Sequence, residues 1–444
     1  MARPAPPPAA RRRRPPATPV TDPAAWLAPW AWSQAQHCLI PPQSARTAAR
    51  STAVGATAAA SPWTPEQQQR LEAALEQAPS GSEAWDLALA LLQQPGAASL
   101  RPMADQRRQA LVGDTVTYVV NRNLNFTNHC VQHCGFCAFR RDAGQAGAFW
   151  HSFDTLQARA REAAQAGATE LCIQGGLNPE ARLNGSSLAY YQALLRALAE
   201  AAPGIHLHAF SPQELLFIAE QDGRPLQAVI DGLLEAGLGS VPGTAAEVLS
   251  EPVRRQLCPE KLTARQWCAV ILQVHRSGLA STATLMAGHL EAPADRAAHL
   301  LTLVALQRVA WQHQTSGFSE FVLLPFIGAQ APAALRQRVG RDQPDRAAML
   351  SLTAQARLLL GRWLVNHQPS WVKLTLAGAT EALRWGCNDL GGTLMEESIT
   401  SMAGAQGGTR QSPAALEAAA RSLGRPVRQR TTLYGAPVPV GVAP

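Results

Sequence analysis

An α/β fold of the (β/α)8 TIM type, with an N-terminal helical cap and a disordered N-terminal tail, is what this sequence predicts, and three observations carry it. From residue 115 onward, short apolar runs of strand character alternate with helical stretches, the signature of repeated strand-helix units and a parallel sheet. Eight such runs can be counted, the number that closes a barrel. A cysteine-rich loop follows the first of them, at the end of the strand where chemistry sits in that fold. A doubly wound open sheet shares the alternation and is the main alternative.

Taken in order, residues 1–62 are rich in Pro, Ala and Arg and offer little to bury, so they are expected to stay disordered. An arginine-rich, acid-poor leader could also be a transit peptide, and a cleaved secretory signal is disfavoured because Pro29 breaks the apolar run. Order is expected from Thr64, where Thr64-Pro65-Glu66-Gln67 combines a capping threonine, proline at the first helical position and glutamine three residues after the cap. Two or three helices should fill 63–112 and cap one end of the barrel. The barrel is placed at 113–405. Its expected strands are 117–126, 170–174, 205–210, 239–241, 280–285, 321–324, 371–374 and 388–390, with helices such as 155–166, 187–201, 213–219, 263–275, 294–312 and 346–366 between them. Residues 406–444 form a C-terminal extension, with a short helix at 413–423 and a loose end.

The formal charge of +7 suggests a polyanion ligand until it is located. Residues 1–60 hold seven arginines against Asp22 alone, a net +6, so the body is nearly neutral and is not expected to bind nucleic acid. No apolar run approaches the roughly 20 residues that span a bilayer, so no membrane partner is expected. Eight cysteines scattered through 444 residues suit a reducing cytoplasm better than a disulfide framework.

Three of those cysteines, Cys130, Cys134 and Cys137, form a C-x3-C-x2-C loop. A closed four-iron cluster uses four cysteines and a closed structural zinc site four ligands, so three leave one position open. On a [4Fe-4S] cluster that position is an iron to which S-adenosylmethionine can chelate through its adjacent amine and carboxylate. The competing reading is a zinc ion with His129 or His133 as fourth ligand. The loop, with Phe136 just before its last cysteine, resembles the signature of the radical SAM superfamily.

Further candidates stand at the ends of the expected strands. Gln174-Gly175-Gly176 could bring backbone close to the amino group of S-adenosylmethionine, or be an ordinary tight turn. His206 and His208 alternate on one strand and so share a side; either could shuttle a proton or be a satisfied core histidine. Thr244 and Glu247 could bond a ribose or carboxylate, or merely cap a helix. His289 and Glu291 offer acid-base chemistry or a loop salt bridge. Lys373 interrupts an apolar run, and because burying an unpaired ammonium is costly it should face an anion or carboxylate.

From about Asn121 to Ala405 the chain resembles one group of radical SAM enzymes, the two FO synthase subunits and the two radical enzymes of the futalosine route to menaquinone. Asn125-Phe126-Thr127-Asn128, Cys172 to Gly176, His206 to Pro212, Pro242 to Glu247, Trp371 to Leu374 and Asn388 to Glu397 look most like the second FO synthase subunit. That resemblance implies a 5′-deoxyadenosyl radical abstracting hydrogen from L-tyrosine. The Cα–Cβ bond then breaks, glycine imine leaves, and the 4-hydroxybenzyl group joins 5-amino-6-(D-ribitylamino)uracil. It also implies an external electron donor and, since only one such cysteine loop is present, a separate first subunit that closes the deazaflavin precursor of coenzyme F420. The runner-up is a futalosine-pathway enzyme, which shares cluster and barrel. Asn178, Ala287 and Cys387 depart from the pattern of the relatives.

Overall fold

A computed structural model of the chain describes residues 24–42, 62–94 and 99–437. Ten strands are present among them: β1 Val116–Val119, β2 Asn121–Asn125, β3 Glu170–Gln174, β4 His206–Ala209, β5 Ser240–Val241, β6 Ala280–Ala287, β7 Phe318–Pro325, β8 His367–Pro369, β9 Asp389–Gly392 and β10 Val427–Gln429. Strands β2 to β8 form one parallel sheet in sequence order. Each parallel neighbour needs a crossover, which the helices 153–165, 187–201, 212–222, 264–276, 293–312 and 346–360 supply. Residues at or near the carboxyl ends of the strands, from Asn123 and Gln174 through Thr244 and Met286 to Lys373, line one cavity. The sheet is therefore curled around that cavity.

The eight-stranded closure expected from the sequence is corrected to seven strands with a seam. The first expected strand is split in two: β1 joins a separate parallel sheet of order β10-β1-β9, while β2 opens the curled sheet. The expected eighth strand exists as β9 but pairs with β1. Between β8 and β2 runs the segment after β9, tied on one side by Asn123 N–H to Leu394 O (2.9 Å) and Thr393 Oγ1 to Asn121 O (2.8 Å). On the other side Trp371 Nε1 donates to Gly392 O (2.9 Å).

The expected seventh strand, 371–374, is instead the start of the helix Trp371–Ala382. Ser370 O accepts from the amides of Lys373 and Leu374, and β8 lies just before it, paired with β7. A four-residue run of which three members are apolar and buried is too short to show a period by which sequence could tell strand from helix.

The helices 65–77, 82–92 and 100–112 form as expected, the first with its capping box complete. They lie against the outer helices 293–312 and 346–360 rather than over a barrel end, with Gln68 Nε2 bonded to Leu358 O (3.0 Å) and Gln355 Nε2 to Leu91 O (3.1 Å). Disorder over 1–62 is corrected for residues 24–42, where Pro29–Cys38 is a helix seated on Ala264–Arg276. Its Ala31, Ala35 and Cys38 are buried, and Arg265 and Arg276 stack on Trp32 and Trp30, at 3.8 and 4.5 Å from the ring centroids. The rest of the expected tail, 1–23 and 43–61, lies outside the described residues.

The C-terminal extension is built in as far as Tyr434, while the Pro/Val/Gly-rich end expected to be loose lies largely outside the described residues. After the helix Pro413–Arg421, β10 pairs with β1, and Arg430 reaches the end of the sheet opposite the cavity. There its buried guanidinium binds Asp389 and Glu320, the latter at 2.9 Å. Tyr434 also donates to Glu320. Residues 438–444 are outside the description. Among the described residues no helix is long and apolar enough to cross a membrane.

Candidate active site

The cavity, of about 340 Å³, opens at the carboxyl ends of the strands, and all three loop cysteines line it together with Phe136. The loop that carries them is pinned at both flanks by the backbone. Cys130 N–H donates to Arg141 O (3.1 Å), Gly135 N–H to Leu257 O (3.0 Å) and Cys137 N–H to Cys134 O (3.1 Å). Gly176 sits directly beneath: a Cβ there would stand 2.1 Å from His129 O and 3.0 Å from Cys130 Cβ. Only glycine permits that approach. We expect Gly176→Ala to displace the cysteine loop and lower iron loading, measured as iron per chain after anaerobic reconstitution; loading equal to wild type would refute the packing role.

All eight cysteines are unpaired. Burial pushes the Cys134 thiol up to about 12, and Cys130 is raised for the same reason, though Lys261 pulls in the other direction. Such thiols become thiolates only beside a strong positive centre, as metal coordination supplies. The donor set fits a cluster better than zinc. Among the described residues no three His, Cys, Asp or Glu side chains are grouped to hold a single ion, whereas a cluster spaces its cysteines by its own bulk. His133 lies beside Asp142 and Glu260 at 3.4 and 3.5 Å, and neither it nor His129 lines the cavity.

Gln174, Gly175, Gly176, Thr244, Glu247 and Lys373 also line the cavity. Gln174 Nε2 donates to Thr244 Oγ1 (3.1 Å). Glu247 holds Lys261 Nζ at 2.6 Å, and that ammonium lies over the Phe136 ring at 5.5 Å. Burial pushes the Glu247 carboxyl up, but Lys261 and then Arg254 outweigh it and keep it below the usual range.

Four expected catalytic residues are not brought there. His206 and His208 both bond Ser240 Oγ, at 2.7 and 2.6 Å, and His206 stands opposite Glu170 at the amino end of its strand. Burial lowers both, His208 to about 4, so they are neutral imidazoles, His208 buried and His206 half-buried. His289 is enclosed, its ring bonded to Met286 O and paired with Glu291 at 3.1 Å, and Glu291 in turn binds Arg296 at 2.7 Å. Burial lowers the His289 imidazole, so it stands neutral beside a Glu291–Arg296 ion pair, and neither His289 nor Glu291 lines the cavity.

Sequence reasoning missed Glu214, a buried carboxyl in the cavity wall. It accepts from Ser211 N–H and Oγ–H (2.7 Å each) and from Gly175 N–H (3.0 Å). Burial raises it to about 7 against those donors. The signal was present as a capping box, Ser211-Pro212-Gln213-Glu214, but a cap explains such a glutamate without a cavity. Lys261, Asn123 and Glu397 were missed as well.

Residues 124–303 match the Radical SAM superfamily. The chain is 58% identical over 337 residues to the 5-amino-6-(D-ribitylamino)uracil--L-tyrosine 4-hydroxyphenyl transferase of Cyanothece sp., covering 76% of this chain and 88% of that one. It is 57% identical over 344 residues to the enzyme of the same name from Thermosynechococcus vestitus, covering 77% and 87%. In fold it is similar to the FeFe-hydrogenase maturase HydG from Carboxydothermus hydrogenoformans, with a TM-score of 0.60 at 14% identity over 83% of this chain and 80% of that one. It is likewise similar to methylornithine synthase, with a TM-score of 0.58 at 12% identity over 81% and 97%. A three-cysteine loop at the mouth of a curled parallel sheet and this degree of identity lead to one conclusion: the chain belongs to the radical SAM family of 5-amino-6-(D-ribitylamino)uracil--L-tyrosine 4-hydroxyphenyl transferases.

Proposed function

We infer that the chain is a transferase that joins the 4-hydroxybenzyl group of L-tyrosine to 5-amino-6-(D-ribitylamino)uracil, a step toward a deazaflavin. The observation that carries this reading is identity of 58% across 88% of a relative bearing that name, in a chain whose three loop cysteines line one cavity.

In this reading Cys130, Cys134 and Cys137 would hold a [4Fe-4S] cluster. With S-adenosylmethionine bound, that centre supplies the 5′-deoxyadenosyl radical that takes hydrogen from tyrosine. The chain's own residues bind and orient. Gly175 and Gly176 let the chain pass close against the Phe126 ring and the base of the cysteine loop, and Gln174 with Thr244 offers a polar edge. Glu214 fixes the Gly175 amide and, with its carboxyl near neutrality, can hold a proton at the cavity wall. Glu247 and Lys261 set a fixed dipole under Phe136.

The reading includes a separate first FO synthase subunit that acts on the product, an external electron donor and a cytoplasmic location, which the scattered thiols suit. Its test is anaerobic incubation of the reconstituted chain with S-adenosylmethionine, a reductant, tyrosine and the ribitylaminouracil, followed by mass analysis. We expect an adduct carrying the 4-hydroxybenzyl mass and consumption of tyrosine. Turnover of a futalosine-type substrate with tyrosine untouched would overturn the reading.

A further inference from the structure

We propose that Lys373 and Asn123, facing the cavity across the seam between β8 and β2, anchor the α-carboxylate and α-ammonium of the amino-acid substrate. This rests on the tyrosine reading above and adds the part of the cavity that recognises it.

The seam is where the sheet fails to close, and its polar groups are incompletely matched. Two lysines line the cavity. Lys261 is already neutralised by Glu247 at 2.6 Å, whereas the Lys373 ammonium has no hydrogen-bond or ion-pair partner among the described residues. Burial pushes the Lys373 amine down to about 8, against the opposing pull of Glu397 and Glu247. A half-buried cation with no counter-charge in contact is costly, and an arriving carboxylate relieves that cost.

Asn123 lies on β2, the other bank of the seam, and also lines the cavity. Its side-chain oxygen is buried without a partner, and an unmet acceptor is matched by an ammonium donor. Glu397 lies on the same seam and lines the same cavity, its carboxylate fixed by the amides of Thr400 and Ser401 at 2.6 and 3.0 Å. It adds negative potential toward a cationic group. Of the two substrates, tyrosine alone is a zwitterion. The ribitylaminouracil offers hydroxyls and ring carbonyls as neutral acceptors but no carboxylate, so only tyrosine of the two brings Lys373 a counter-charge.

The test compares wild type, Lys373→Met and Lys373→Arg as full-length reconstituted enzyme of equal iron content. KM is measured for each substrate at saturation of the other. Tyramine, which lacks the carboxylate, is the competitive probe. We expect Lys373→Met to raise the KM for tyrosine roughly 30-fold or more, the usual consequence of removing one partner of a buried charge pair, and to leave the KM for the uracil unmoved. The preference of the site for tyrosine over tyramine should collapse, and Lys373→Arg should restore part of it. Equilibrium binding of tyrosine and tyramine gives the same comparison where turnover is too slow to follow.

An unchanged tyrosine KM in Lys373→Met, a rise confined to the uracil, or a tyrosine-over-tyramine preference equal to wild type would overturn the assignment. Wild-type enzyme that consumes no tyrosine would overturn it together with the reading beneath it. Normal wild-type turnover with unaltered variant kinetics would overturn it alone.

Discussion

Cys134→Ala, reconstituted anaerobically with iron and sulfide, is expected to hold no intact cluster and to lose 5′-deoxyadenosine formation by at least about 100-fold, since even an outer-shell defect at a metal site costs 10- to 100-fold. The reason lies in the count of donors. Among the described residues the cavity offers three loop thiols and no histidine to replace one of them. The discriminating control is Cys258→Ala. Cys258 is a fourth thiol, buried in the same apolar cluster that Cys134 and Phe136 touch, yet it does not line the cavity. It should leave iron content and S-adenosylmethionine cleavage near wild type. A full cluster in Cys134→Ala, or its loss in Cys258→Ala, would show that the ligands have been misassigned.

Arg430→Met should produce the largest loss of stability away from the cavity, about 3–5 kcal/mol, the cost of breaking a buried ion pair and leaving its partner uncompensated. The Arg430 guanidinium is almost fully buried, holds Asp389 through two nitrogens and reaches Glu320 at 2.9 Å. Asp389 is wholly buried and also accepts from Thr117 and from Gly391 N–H, so one side chain ties β10, β9, β1 and β7 together. Chemical denaturation followed by tryptophan fluorescence measures the loss. Arg430→Lys keeps the charge but not the fork, and should fall between. A loss below about 1 kcal/mol in Arg430→Met would mean that the C-terminal segment is not a stabilising plug.

That plug shows where sequence reading stops. Arg430 sits in a short polar stretch near the chain end, ordinary by composition, and its partners lie 41 and 110 residues away. The helix Pro29–Cys38 was lost in the same way. Its own residues have little amphipathic pattern, and it is held by a groove on Ala264–Arg276 and by two arginine-tryptophan stacks. His206 and His208 illustrate the converse. Their alternation correctly placed them on one side of a strand, but not at which height of the sheet, and Ser240 and Glu170 decided that.

What the sequence settled by itself is what depends on covalent spacing and local periodicity: three thiols within eight residues, a glycine pair where backbone must pass close, the capping box at Thr64, and the alternation of strand and helix. Neighbours along the chain fix these, whatever lies across the fold. The tertiary structure alone decided that the sheet stops at seven strands, that Glu214 rather than His289 borders the cavity, and that Lys373 faces it without a counter-ion. Each depends on groups far apart in sequence meeting in a low-dielectric interior, where burial and pairing, and not residue type, determine which polar side chain is satisfied and which is left to meet a ligand.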